Sequence, residues 1–359
     1  MKYAIQWMAA AAALWFTAEP APAAEFMFRA LVDGQMLEGQ PLAWSDTEMF
    51  LLGRDGQLHE FDPRDASEGE KTSPRFVAYS MPEMKRELYR EFGDALDVTT
   101  TLHYIVVHPR GEADAWAQRF EDLYRWCLAY FRVRGFRPQE PPYPLVAIVY
   151  RNQGDYYRAA SASGTPLMPG TLGHYDLNTN RVYLYDITNG DSDADWSENA
   201  ATIIHEATHQ TAFNVGLHSR FAESPRWLVE GLATMFEARG VWNSQSFHSL
   251  KDRLNQGRLA DFRALVAKGR PPMTMAALIA SDRLFRVSPA AAYAEAWALT
   301  LYLCETRPRQ YVEYLAKVAN RPMFSEYPDV ERVADFMSIF GRDLKQLEAN
   351  YLAWMAEIK

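Results

Sequence analysis

Along the chain the spacing of apolar and polar positions changes twice. Between residues 25 and 62 it has a period of two. "FMFRALVDGQ", "EMFLLGRDG" and "QLHEFDP" put alternate side chains on one face and are broken by Asp-Gly pairs, which predicts short strands joined by tight turns. "PRDASEGEKTSPR" then loses any apolar period and is rich in turn formers, so it reads as a linker, with a boundary near residue 80. Further on the runs lengthen. "LHYIVVHP" and "YPLVAIVY" have the continuous apolar character of buried strands. "EADAWAQRFEDLYRWCLAYFRVRG" places Trp116, Phe120, Leu123, Cys127 and Phe131 on one helical face, with Gly135 past its end. "TLGHYDLNTNRVYLYD" predicts a hairpin around Asn-Thr-Asn. From Ser197 onward the helical period dominates. "SENAATIIHEATHQTAFNVG" has Ser197 as its N-cap and Gly216 at its close; "PRWLVEGLATMFEARG" and at least four more helices follow. No internal repeat is visible. The expected fold is α+β: a small β-sheet followed by a mainly helical half, with a small β-rich module in front. The chain divides into residues 1–24, 25–80 and 81–359.

The first of these segments is expected to be removed. "MKYAIQWMAAAAALWFTAEPAPAAEF" has Lys2, an apolar run from Met8 to Phe16, and small residues at Ala21, Ala23 and Ala24. That run is too short to span a bilayer and has the form of a cleavable secretory signal, which predicts an exported protein. No Cys follows it to carry a lipid, and no later stretch is long and apolar enough to form a membrane anchor. Cys127 and Cys304 both lie in apolar helical patterns, compatible with a disulfide or with two buried thiols. Of the 359 residues, 48% are hydrophobic, enough for a sizeable core, and the formal net charge is −9. An acidic chain without basic runs is not expected to bind nucleic acid.

The helical half carries the chemistry. In "IIHEATHQ", His205 and His209 are four residues apart and so point to the same side of a helix, close enough to share a metal ion. Glu206 stands beside the first His, where it can act as base for a zinc-activated water. The flanking Ile203, Ile204, Ala207, Thr208 and Ala212 are apolar or small, which places the motif in a buried stripe where imidazoles and a carboxylate need partners. Catalytic zinc takes three protein ligands. "WLVEGLATMFE" offers Glu230 as the third, with Gly231 and Ala233 allowing close helix approach. Glu237, two turns on, is the rival, read as a surface Glu closing the helix. Thr234 is a candidate outer partner for a ligand, and His218 reads as a loop or substrate-side residue.

The spacing of HEATH and "WLVEGLA" resembles the gluzincin zinc metallopeptidases, and "WLVEGLA" is similar to the third-ligand helix of the membrane-alanyl aminopeptidases at Trp227, Leu228, Glu230, Gly231 and Ala233. More broadly, "HYIVVHP", "RFEDLYRWCLAYFRVRGF", "PLVAIVYRNQGDYYR", "GHYDLNTNRVYLYD", "HEATHQTAFNVGLHSRF" and "PRWLVEGLATMFEARGV" resemble a bacterial family known as domain of unknown function 1570, in the peptidase-MA-like group. The resemblance implies a zincin-like core and supports Glu230 as ligand. It also implies a Tyr that donates to the oxyanion. Tyr293 in "AAAYAEAWALTLYL" stands in the corresponding order, with Tyr302 as the alternative. The chain lacks the G-x-M-E-N stretch with which those aminopeptidases capture an amino terminus. The expectation is therefore an endopeptidase acting on a peptide or protein substrate, with the hairpin as a strand edge for it. The alternatives are a metal-retaining, non-catalytic binding protein and a zinc hydrolase of cell-wall peptide amides.

Overall fold

The computed structural model describes residues 26–111, 113–187, 197–243 and 246–358. The segment read as a signal, 1–24, lies outside the described residues. The chain forms two compact units: one from the described residues up to Glu121 together with those of Pro141–Thr202, the other from Asp122–Glu140 and the described residues from Ile203 onward.

In the first unit the period-two region forms an antiparallel sheet of β1 (Met27–Val32), β2 (Gln35–Trp44), β3 (Met49–Gly53), β4 (Leu58–Phe61) and β5 (Ala66–Ser73), in the order β4-β3-β2-β1-β5. Ala30, Val32, Leu37 and Leu51 make its small core. The presumed linker is part of this sheet, because β5 pairs with β1 along its edge. The sequence hides it because most of its side chains are exposed and polar, the usual protection of an edge strand. Arg29 of β1 forms an ion pair with Glu70 of β5.

Next come α1 (Met81–Phe92), β6 (Asp97–Thr100), β7 (Tyr104–His108), α2 (Ala113–Arg132), β8 (Leu145–Tyr150), α3 (Gln153–Ala162), β9 (Gly173–Asp176) and β10 (Arg181–Tyr185). Helices α1 and α3 have no counterpart in the apolar pattern. α1 buries only Met84 and Leu88, and a Ser80–Glu83 capping box opens it. The second sheet runs β6-β7-β8-β10-β9. Its inner neighbours β7/β8 and β8/β10 are parallel and its outer pairs antiparallel. Ile105, Val107, Val146 and Ile148 pack with Met84 and Leu88, each such side chain contributing about 1.5–3 kcal/mol on full burial. The hairpin is present as β9–β10. Its turn is held by Asn180, which has a φ of 59°, a conformation Asn tolerates. The Tyr175 hydroxyl donates to Asn180 Oδ1 at 2.6 Å.

The second unit is helical: the later part of α2 and of α4 (Ser197–Asn214), then α5 (Arg226–Phe236), α6 (Arg239–Trp242), α7 (Gln256–Ala267), α8 (Thr274–Ala280), α9 (Arg283–Val287), α10 (Pro289–Thr306), α11 (Pro308–Ala319), α12 (Asp329–Phe340) and α13 (Leu344–Glu357). α10 is buried without a break from Ala292 to Cys304, which marks it as the central helix. Against it α5 packs closely enough that a Cβ on Gly231 would stand 2.3 Å from Thr300 Oγ1 and 2.5 Å from the Ala296 carbonyl oxygen. Only glycine fits there, and that contact fixes the depth at which Glu230 lies. Cys127 and Cys304 are buried free thiols rather than a disulfide, each pushed by burial to a pKa of about 12. No helix among the described residues is long and apolar enough to cross a membrane.

Candidate metal centre

Helix α4 presents His205 and His209 one turn apart, with ring centroids 4.6 Å from each other. Helix α5 brings Glu230 to them. His205 Nε2 is 3.4 Å and His209 Nε2 3.8 Å from Glu230 Oε2, and one ligand atom from each of the three residues lies within 4.8 Å of the others. Donors 2.0–2.1 Å from a tetrahedral ion stand about 3.3–3.4 Å apart, so the spacing suits a small cation. His205 and His209 are 1% exposed and Glu230 is 0% exposed. His205 Nε2 and both Glu230 oxygens are buried with no hydrogen-bond partner among the described residues, an arrangement that is costly without a compensating ligand. With both imidazoles neutral, Glu206, Glu230 and Glu237 against Arg226 leave two negative charges, matching a divalent ion in magnitude. On these counts the donor set fits a zinc-sized metal.

Electrostatics around the imidazoles is uneven. Burial alone would lower the pKa of His205, but the carboxylates of Glu230 at its Nε2 and of Glu237 at its Nδ1 outweigh burial and raise it to about 10. His209 is driven well below the ordinary value, first by burial and then by the charge of His205. Metal binding needs both rings neutral.

Glu237 is partly exposed and lies behind His205, outside the cluster of three. Its Oε1 accepts from His205 Nδ1 at 2.8 Å, while its Oε2 accepts from Asn255 Nδ2 at 2.7 Å. The pair fixes the ring so that Nε2 faces the cluster, the role carboxylates commonly play behind metal-binding histidines. Thr234 does not share it: its Oγ1 is buried without a hydrogen bond among the described residues. The reading of Glu237 as a surface residue missed that α5 turns this position back toward α4.

Glu206 is 1% exposed and its charge acts on His205. Tyr293 of α10 is buried. Burial, followed by the nearby Glu230, holds its phenol well above the ordinary pKa, with Arg226 opposing. Its ring packs edge-on against Phe285, with centroids 5.4 Å apart. The alternative, Tyr302, instead packs against Tyr351 and Trp354. His218 lies in the turn closing α4, its backbone N–H donating to the Ala212 carbonyl. Its ring is buried against Phe213, neither nitrogen has a hydrogen bond among the described residues, and burial lowers its pKa to about 3.

Arg226 escaped the sequence reading. It opens α5, and its Nε lies 3.5 Å from Glu230 Oε1, while its backbone N–H donates to Asp282 at 3.0 Å. The available signal was its spacing of four residues from Glu230.

A family model described as "Protein of unknown function (DUF1570)" matches residues 199–325. That span contains His205, Glu206, His209, Glu230, Glu237 and Tyr293, and it bears out the resemblance to this family over part of the stretch on which it was seen. No curated protein matches the chain.

Proposed function

We propose that the protein is an exported zinc metallopeptidase with a zincin-like core, cutting within peptide or protein chains. The observation that carries this reading is the buried convergence of His205, His209 and Glu230, with Glu206 next to the first of them. The two Nε2 atoms and a Glu230 oxygen would hold the ion and leave a position open, as catalytic sites do. A zinc ion held there supplies Lewis acidity, lowering the pKa of water to about 7 and polarising a carbonyl.

Glu206 takes the proton of the attacking water and returns it to the leaving amine. Tyr293 keeps its proton at neutral pH and donates to the oxyanion of the scissile carbonyl. Arg226 offsets the charge of Glu230 next to it, and Glu237 keeps the His205 ring oriented. Export rests on the form of residues 1–24. The internal-cleavage reading rests on the absence from the sequence of an amino-terminus-capturing stretch.

The test uses the purified protein with its zinc content measured, assayed on casein and on a quenched peptide library. Wild type should cleave, and Glu206→Gln should retain zinc and stop cleaving. A zinc-loaded wild type that cleaves nothing, or a Glu206→Gln protein that cleaves as well as wild type, overturns the proposal.

A further inference from the structure

The helical unit also carries a groove lined by none of the metal-centre residues. This groove of about 530 Å³ is bounded by the segment after α2, by the turn that closes α4, and by one side of α11 from Arg309 to its C-cap Asn320. In a chain of net charge −9, three guanidiniums (Arg134, Arg137 and Arg309) line it against a single carboxylate, Glu313. Arg137 and Arg309 are exposed, and their side chains make no hydrogen bond or ion pair among the described residues. Arg134 is preset: its Nη1 donates to the Tyr130 carbonyl at 2.8 Å and its guanidinium lies 3.5 Å over the Tyr130 ring. Its Nε is buried and has no acceptor among the described residues.

The rest of the lining narrows the ligand. Arg309 lies in the first turn of α11, and the groove follows that helix to its C-cap Asn320. Phe136 and Val312 give apolar wall, and Gln139 and Asn320 give amides. Gly135, at a φ of 93°, has no atom within 4 Å of where a Cβ would stand, which leaves bare backbone open there. The volume falls in the range of about 300–1,000 Å³ typical of ligand sites and exceeds what one small oxyanion fills.

We infer that this groove binds an acidic peptide segment. The arginines take its Asp or Glu carboxylates, the wall takes an apolar side chain between them, and the amides and bare backbone take its main chain. Guanidinium forks match carboxylates in a way lysines do not. The inference is independent of the metal and of any catalysis.

The test is fluorescence anisotropy with a labelled hexapeptide of alternating Glu and Leu, and with its Lys/Leu counterpart. The acidic peptide should bind and the basic one should not. The double variant Arg137→Gln/Arg309→Gln should weaken binding on the order of tenfold, with unchanged circular dichroism and metal content. Raising salt from about 0.15 M to about 1 M should weaken wild-type binding as well. Equal affinity of the double variant, failure of wild type to bind the acidic peptide, or displacement of that peptide by inorganic phosphate at equal concentration would each overturn the assignment.

Discussion

Two buried ionic clusters lie in the helical unit and are built on opposite terms. Around Arg270, every charge is answered within the protein. Its guanidinium pairs with Glu295 and, at 2.9 Å, with Glu348. Glu348 also accepts the backbone N–H groups of Met273 and Met275 at 2.8 and 2.9 Å, which holds Met273 in a left-handed turn. Tyr351 donates to Glu295 at 3.3 Å. Around Glu230, carboxylate and imidazole atoms converge and stop short of hydrogen-bonding distance. The first cluster fastens α10 to α13 and to the segment before α8. The second is organised around a point, where His205 Nε2 and both Glu230 oxygens are buried with no hydrogen-bond partner among the described residues. Burial of charge does not separate a structural network from a binding centre; what does is whether the partners close on each other.

Glu206→Gln should break the comparison most sharply on the side of function. Loss of a general base is expected to lower peptide cleavage by about 10²–10⁴-fold, or about 2.7–5.5 kcal/mol in barrier, with zinc content and unfolding midpoint unchanged. The counterpart is Arg270→Met. Leaving Glu295 and Glu348 buried without their cation should cost about 3–5 kcal/mol in urea unfolding, and any activity per folded molecule should stay the same. If Arg270→Met removes metal while sparing stability, the two clusters do not divide the work as described.

A pair of buried histidines sharpens the same point. His205 faces carboxylates, which raise its pKa; His174 on β9, whose Nδ1 lies 2.7 Å from the Tyr156 hydroxyl and whose ring stacks on Tyr183, is lowered to a pKa of about 4 by burial, with Asp176 opposing. Between an unfolded value of 6.5 and about 4 the unfolded chain binds the extra proton. Stability from His174 is therefore complete above 6.5 and falls as pH drops toward 4, by roughly 3 kcal/mol in all. Urea titrations from pH 7 to pH 4 should show this slope in wild type. His174→Gln, which keeps an acceptor for Tyr156, should flatten it; an equally steep variant would assign the slope to other groups.

What the sequence disclosed follows from the range of each interaction. His205, Glu206 and His209 share one helical turn, so their chemistry is local and legible. The approach of Glu230 to the two histidines was legible in "WLVEGLA", because Gly231 beside it advertises a close helix contact. β5 was misread because an edge strand is recognised by its neighbour, not by its own polar side chains. α1 was missed although Ser80 and Glu83 carry its start signal, since two buried positions give too short an apolar period. Arg226 and the true place of Glu237 depend on how deep α5 sits against α10 and which way it faces α4. No run of neighbouring residues encodes that.

Glu237 therefore gives the subtlest test of the contrast between a closed network and an open centre. It lies outside the cluster, and its work there is to hold the His205 ring. If the open cluster exists to take a metal, loosening that ring should weaken the metal without removing a ligand. Glu237→Ala is expected to lower zinc affinity about 10–100-fold, or about 1.4–2.7 kcal/mol, measured by competition with a chelator of known affinity. Glu237→Gln, which can still accept from His205 Nδ1 through its amide oxygen, should recover part of the loss. Glu237 is partly exposed, its side chain at 18%, so neither change should cost the stability that Arg270→Met does. Were Glu237→Ala to lower stability by several kcal/mol while zinc affinity held, the His205–Glu237–Asn255 chain would be one more closed network, and the openness at Glu230 would need a different explanation.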